Sequence, residues 1–390
     1  MTRSAPERLL YLSPSPLSSF AQRPHHFVHW FHHRYNAPVL WIDPGPSRLP
    51  RPSDWPRFVK QLQRSAAKLT GVKPVAALGP AWRHEAWLQH AQAQVVPLEP
   101  YALGRHINQI LWHKLLQRTD RFVDAQTVLV MGKPCALSLA LAKRYSQNHC
   151  IFDAMDHMPG FCTGASRQWM LQAEAQLAQQ AHTIWASSHA LALSHAGHAE
   201  KVSLVLNALT EPPKQTSANA AKAKQSPVLG YLGVIDRWFD WKRVIDLARS
   251  HSNAQVRLIG PMHSAPPGPL PSNVQCLAPV PQHNVYQAMA QFDVGLIPFE
   301  LNDVTRYVDP VKYYEYRALG LPVLSTQFGE MAHRSALDGV YFWEHLESGG
   351  LQLDTLIGSR SSQSSTQLYC EQNNWQQRFD AIAHTLDNRG

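Results

Sequence analysis

No run of apolar residues in this chain approaches the roughly 18 that a membrane-spanning helix needs, so a spanning protein is excluded. Charge is also scarce. Only 16% of the residues are Asp, Glu, Lys or Arg while 44% are hydrophobic, the reverse of a disordered chain. Cysteine is sparse and odd in number, five residues with no Cys-x-x-Cys pair. That is reduced-thiol usage, and it points to the cytoplasm. The apolar run Leu9-Leu10-Tyr11-Leu12, preceded by Glu7 and Arg8, is too short for a signal-peptide core and reads as a buried strand. His-Glu-x-x-His and Asp-x-Asp motifs are missing as well. His25/His29 and His29/His33 have the i,i+4 spacing that could hold zinc on one helix face, but with no supporting motif no metal site is expected.

What is present is a repeated alternation. Short β-branched runs, ended by Gly, Pro, Asp or Ser, predict strands near 9–13, 39–43, 75–79, 94–98, 127–131, 150–153, 183–187 and 202–207. After residue 227 they recur at 228–234, 256–260, 274–277, 294–299, 323–326 and 340–343. Helix-period segments lie between them, among them 105–117, 136–145, 167–181, 241–250, 285–291 and 312–319. Strands buried on both faces, alternating with helices, define an α/β class with doubly wound parallel sheets. At 390 residues two domains are expected, and the polar stretch 210–227, flanked by Pro212-Pro213 and Pro227, reads as the linker. A ligand cleft is expected between the two, at the carboxyl ends of the strands.

Charge divides along the same line. Residues 1–210 hold 21 Lys and Arg against 11 Asp and Glu, a net of +10; the remainder holds 15 against 17, a net of −2. A basic half beside a neutral one suggests that the first domain faces an anionic surface. Two segments could supply an amphipathic face. Trp55, Phe58, Leu62 and Leu69 are interleaved with Arg57, Lys60, Arg64 and Lys68; Leu103, Ile107, Ile110, Leu111 and Leu115 accompany Arg105, Lys114 and Arg118. The second reads more naturally as a helix docked on its own sheet.

The densest chemistry is Asp309-Pro310-Val311-Lys312-Tyr313-Tyr314-Glu315-Tyr316-Arg317-Ala318-Leu319-Gly320-Leu321-Pro322-Val323. A proline-started helix places Lys312 and Glu315 three apart, on one face of its first turn. Its positive end and Lys312 suit a phosphate, and Glu315 could accept hydrogen bonds from ribose hydroxyls. The same spacing also fits a plain surface ion pair.

This segment resembles the C-terminal signature of the GT-B glycosyltransferases, specifically the large retaining group (family 4-like) that includes bacterial polysaccharide and teichuronic-acid transferases. The resemblance extends in order through Gly230-Tyr231-Leu232-Gly233-Val234-Ile235-Asp236, Arg257-Leu258-Ile259-Gly260-Pro261 and Phe292-Asp293-Val294-Gly295-Leu296-Ile297-Pro298-Phe299. It is patchier at Gln22-Arg23-Pro24-His25-His26, Phe152-Asp153-Ala154-Met155-Asp156 and Leu206-Asn207. It implies two Rossmann-like domains: an acceptor domain over 1–208, a linker over 209–226, a nucleotide-sugar domain over 227–370, and a helix over 371–390 crossing back. It implies donor residues Gly233, Arg237, Lys242, Pro261, Arg306, Lys312 and Glu315. Many members carry a second Glu eight residues before the helix Glu, where this chain has Tyr307, and the usual close Arg and Lys after the first glycine are out of register as Arg237 and Lys242.

On the acceptor side, Asp153 and Asp156 end a strand, where a carboxylate can act as base toward a hydroxyl. Asp156 with His157 is the preferred pair, and Arg23 with His25 or His26 the second; an Asp here also fits a simple cap. The expected reaction moves a sugar from a nucleoside-diphosphate donor to a saccharide, lipid-linked acceptor, in cell-surface polysaccharide synthesis, with no cofactor. The expected partners are that donor, that acceptor and an anionic membrane surface on the inner face; no nucleic-acid module is present. An epimerase or phosphorylase on the same fold, and a non-catalytic nucleotide- or glycan-binding subunit, are the alternatives.

Overall fold

The computed structural model describes residues 5–46, 80–210 and 226–387. Two compact units emerge. Unit 1 comprises the described residues up to Ala186, then Ser194–Leu204 and the chain end from Phe379; unit 2 comprises Ser187–Leu193 and Val205–Arg378. Both are built on wholly parallel sheets. The strands of unit 1 are β1 (Arg8–Leu12), β2 (Val39–Asp43), β3 (Leu88–Gln92), β4 (Thr127–Met131), β5 (Cys150–Ala154), β6 (Thr183–Ala186) and β7 (Val202–Leu204). They lie in the order β3-β2-β1-β4-β5-β6-β7. Unit 2 has β8 (Val228–Leu232), β9 (Gln255–Ile259), β10 (Val274–Leu277), β11 (Val294–Ile297), β12 (Val323–Ser325) and β13 (Val340–Phe342), ordered β10-β9-β8-β11-β12-β13.

The central strands carry no exposed face. Every residue of β2, β4, β5, β8 and β11 is buried, which accounts for their continuous apolar sequences. Helices cover both faces: in unit 1 these are α1 (Arg23–Tyr35), α2 (Ala102–Leu111), α3 (His113–Phe122), α4 (Ala136–Arg144) and α5 (Gly164–Gln180). The short α6 (His189–Ser194) follows β6. Unit 2 adds α7 (Trp241–Ser250), α8 (Val285–Met289), α9 (Val311–Arg317), α10 (Trp343–Glu347), α11 (Leu353–Gly358) and α12 (Gln363–Gln372). The last helix, α13 (Trp375–Asp387), starts in unit 2 and ends in unit 1. There Phe379 meets the edge of Phe27 at 5.3 Å, and Trp30 donates from Nε1 to Asp380 at 3.0 Å.

Three expectations are corrected. The strand expected at 94–98 forms earlier, as β3, because Leu88–Gln92 pair in register with Val39–Asp43; Pro97 lacks the N–H a ladder needs. The helix expected over 105–117 is two helices, broken at the buried Trp112. Its apolar face docks only in part, through Leu115 in the core. Leu103 and Ile110 are 71% and 65% exposed, while Asn108 is buried and its amide clasps both backbone groups of Val96. The strand expected at 75–79, the amphipathic segment 55–69 and most of the 209–226 linker lie outside the described residues.

Candidate functional site

In a doubly wound sheet the chain reverses its winding at one point, and the loops leaving the flanking strands part there to leave a crevice at the carboxyl edge. In unit 2 that point lies between β8 and β11. The two loops are tied together. Phe239 bridges to Phe299, Asp240 N donates to Pro298 O at 2.7 Å, and Glu300 N donates to Trp238 O at 2.8 Å. Beside them, the end of β9 closes on the end of β8: Ile235 N donates to Pro261 O at 2.9 Å. Gly260 makes this possible. Its φ is +147°, and a Cβ there would stand 1.9 Å from the carbonyl oxygen of Gly233. Thus Gly233, Arg237 and Pro261, expected as donor residues, share this edge, and Arg237 is exposed on its loop.

Lys242 departs from that group. It sits on the exposed face of α7 and pairs with Asp246 one turn on, at 2.8 Å. The same helix is capped by Asp240, which accepts from Arg243 N at 3.0 Å. Arg306 belongs to the loop after β11, exposed, with its guanidinium 5.3 Å from the Tyr307 ring.

The crossover helix α9 runs back against the strands, so its first turn lies at the same carboxyl edge. Here Lys312 Nζ and Glu315 Oε2 are 2.5 Å apart, with Glu315 buried and Lys312 partly exposed. The surface-pair geometry and the donor-site positions are therefore the same two residues. The helix has seven residues, ending at Arg317 rather than Leu319, and Gly320 then turns the chain with a φ of +70°. Three tyrosines root it. Tyr316 accepts from Leu232 N at 3.1 Å, fixing α9 to the end of β8. Tyr314 donates to Asp309 at 2.8 Å, and Tyr313 lies under the Arg334 guanidinium at 3.7 Å. Asp309, buried, also accepts from Asn207 N and from Arg334, each at 2.8 Å. This hub was not anticipated; its sequence signals were an Asp-Pro ahead of the helix and the Asn207 match.

In unit 1 the reversal lies between β1 and β4. Arg23 is buried there and bound to Asp153, which also accepts from Tyr11 at 3.0 Å. Arg23 is thus a partner of Asp153 first. His25 is wholly buried, accepts from Gln22 N at 3.2 Å and packs 4.8 Å from the Trp41 ring. Burial holds its imidazole below the usual range, so it is a neutral core group that closes the start of α1. Arg23 and His25, expected as the second acceptor-side pair, are thus held by different partners, Asp153 for Arg23 and Gln22 with Trp41 for His25. Asp156 and His157 leave the end of β5 partly exposed. Loss of water around Asp156 pushes its carboxyl up to about 7, opposed by Arg23 and reinforced by the Asp153 charge. A carboxyl in that range suits proton transfer near neutrality.

The histidines of α1 do approach one another, His29 Nε2 and His33 Nε2 being 3.0 Å apart. Among the described residues, the group of three or more metal-capable side chains within reach of one another is elsewhere: His189, Glu330 and His333.

No family model matches the chain. Over 294 residues, 68% of this chain and 72% of the relative, it is 25% identical to the candidate teichuronic acid biosynthesis glycosyltransferase TuaH of Bacillus subtilis (strain 168). Among solved structures, HepE (Alr3699) of Anabaena in complex with UDP-glucose matches with a TM-score of 0.62 at 14% identity, over 97% of this chain and 99% of that one. The lipopolysaccharide outer core galactosyltransferase WaaB, in its apo form, matches with a TM-score of 0.60 at 14% identity, again over 97% and 99%. At such identities the structural likeness establishes the fold alone.

Proposed function

We propose that this chain, a glycosyltransferase of the GT-B fold, moves a sugar from a nucleoside-diphosphate sugar to a hydroxyl of a growing, lipid-linked saccharide with retained anomeric configuration. The observation that carries the reading is the Lys312–Glu315 pair on α9, set at the carboxyl edge of unit 2 where its winding reverses. Glu315 receives the ribose hydroxyls, and Lys312, released from it, meets the diphosphate. Arg237 and Arg306, on the two tied loops, add positive charge as the leaving group departs; that stabilisation is the largest single contribution such a reaction needs. Lys242, engaged with Asp246, has the weaker claim. Gly233 and Pro261 frame the edge with backbone.

On unit 1, Asp156 with His157 takes the acceptor proton, and Arg23 acts through Asp153 by holding the end of β5. The donor is a substrate, and no cofactor is invoked. Support for a nucleotide sugar comes from the fold shared with HepE bound to UDP-glucose. Support for a cell-surface polysaccharide comes from the TuaH likeness. The cytoplasmic, inner-face location rests on the sparse, scattered cysteines, odd in number, and on the basic first half. A second reading, a non-catalytic nucleotide-binding subunit, is favoured by one observation: Lys312 is neutralised by Glu315, and Tyr307 holds the place where the resembled group often has a carboxylate.

The deciding experiment incubates the chain with a panel of nucleotide sugars, with and without lipid-linked acceptors, and measures released nucleoside diphosphate. Release that requires an acceptor, with the product anomer matching the donor by NMR, is expected. Saturable nucleotide binding without turnover would establish the second reading, and turnover of the donor alone would point to an epimerase.

A further inference from the structure

Glu330 lies in the 3-10 turn Gly329–His333 of unit 2 and is 3% exposed. A buried carboxylate is costly unless a cation or several donors meet it. Both of its oxygens are met by one residue. Oε1 lies 2.9 Å from His189 Nδ1, and Oε2 accepts from His189 N at 3.0 Å. The nearby guanidinium of Arg334 is committed elsewhere, to Asp309 at 2.8 Å and to the face of Tyr313. Arg334 therefore neither neutralises Glu330 nor presents an uncompensated charge beside it.

His333 completes the group. Its ring centroid is 4.5 Å from that of His189, and one ligand atom from each of His189, Glu330 and His333 falls within 4.8 Å of the others. The turn that brings Glu330 and His333 here depends on Gly329. Its φ is +44°, and a Cβ would meet the carbonyl oxygen of Val308 at 2.3 Å. The opposite wall is anchored too, since Ser188 Oγ donates to Tyr307 O at 2.8 Å. Both rings are exposed, so an ion has an entry path.

We propose that His189, Glu330 and His333 form a zinc-class divalent metal site, outside the transfer reaction. Two imidazoles and one carboxylate are a donor set for a borderline ion such as Zn2+, whereas Ca2+ and Mg2+ call for a shell of oxygens. Bonds of about 2.0–2.2 Å in a tetrahedron separate ligand atoms by roughly 3.3 Å. The His189–Glu330 contact needs to open by only a few tenths of an ångström, and the exposed His333 ring swings in. The metal takes the place of the proton shared between His189 Nδ1 and Glu330. Three protein ligands leave the fourth position to water. The ion fastens residues 187–193 to the Gly329–His333 turn.

The test uses the full chain, stripped with a chelator and titrated with Zn2+ against a competing chromophoric chelator, then with Co2+ as a spectroscopic probe. One equivalent of Zn2+ is expected, with tetrahedral Co2+ absorption. His333→Ala and His189→Ala should each weaken binding at least about tenfold, as losing a ligand should do no less than losing its outer support. A His29→Ala/His33→Ala variant should bind like the parent. Because His333 is exposed, circular dichroism should be unchanged in its variant. Substoichiometric binding to the folded parent overturns the proposal. So does binding that survives the His189→Ala/His333→Ala double substitution or disappears with His29 and His33.

Discussion

Lys312 and Glu315 illustrate how one residue pair serves two accounts. In the free chain they satisfy each other at 2.5 Å; in a donor complex the same groups would be divided between diphosphate and ribose. Glu315→Ala should weaken nucleotide binding by about 1.5–3 kcal/mol, the worth of charge-assisted hydrogen bonds, in calorimetric titration. Lys312→Ala should depress kcat more than affinity, because the charge it meets develops in the transition state. Parent-like kinetics in both variants, with the fold intact, would remove α9 from the reaction. A second buried carboxylate makes a cleaner statement about pH. Glu174 on α5 lies 3.7 Å from His195, and burial pushes its carboxyl up to about 7. The folded state then holds a proton that the unfolded chain releases near pH 4–5. Its favourable share of stability is complete below that pH and is lost as pH rises through about 7. Glu174→Gln should flatten this slope in urea unfolding at pH 5 and pH 8, gaining on the order of 1–3 kcal/mol relative to the parent at the higher pH. An unchanged slope would show that Glu174 is ionised in the folded chain.

The element that determines where α9 starts is the Asp309 junction. Asp309 receives Asn207 N, Tyr314 and Arg334, so it ties the stretch after Leu204, the helix and the turn before residue 335. Asp309→Ala should cost about 3–5 kcal/mol in denaturant unfolding, because the Arg334 side chain, only 9% exposed, is left without its counter-charge. A loss below 1 kcal/mol would mean that water or another carboxylate takes over. Local pattern was a sound guide to α9, whose Pro310, Lys312 and Glu315 positions were legible from spacing alone. The bonds from Arg334 and Asn207 to Asp309 were not, because they span 25 and 102 residues. The same limit explains β3. Leu88–Gln92 contain no β-branched residue, so only their pairing with β2 makes them a strand. For α2, periodicity pointed to a docked apolar face, but the buried side is held by Asn108 on Val96 while Leu103 and Ile110 stay exposed.

At the scale of the whole molecule the charge imbalance is the feature to test. Among the described residues no helix is long and apolar enough to cross a membrane. The exposed Leu103 and Ile110 belong to the basic first half, beside Arg105, Lys114 and Arg118. Attachment to an anionic surface follows as an expectation, each Lys or Arg contributing about 1 kcal/mol at the bilayer. Co-sedimentation of the full chain with anionic vesicles should exceed that with neutral ones. It should fall with added salt, since screening acts within about 10 Å at 0.1 M, and Ile110→Asp should reduce it. Equal binding to both lipids, or to neither, would leave the charge split a matter of solubility. The sequence by itself determined the class of fold, the parallel sheets and the start of α9, because period, turn residues and capping act over a few neighbours. Tertiary structure alone decided that Arg23 is committed to Asp153, that His25 is core, and that His189 meets Glu330 and His333. Those contacts join residues more than a hundred positions apart or depend on burial, and neither leaves a mark in local spacing.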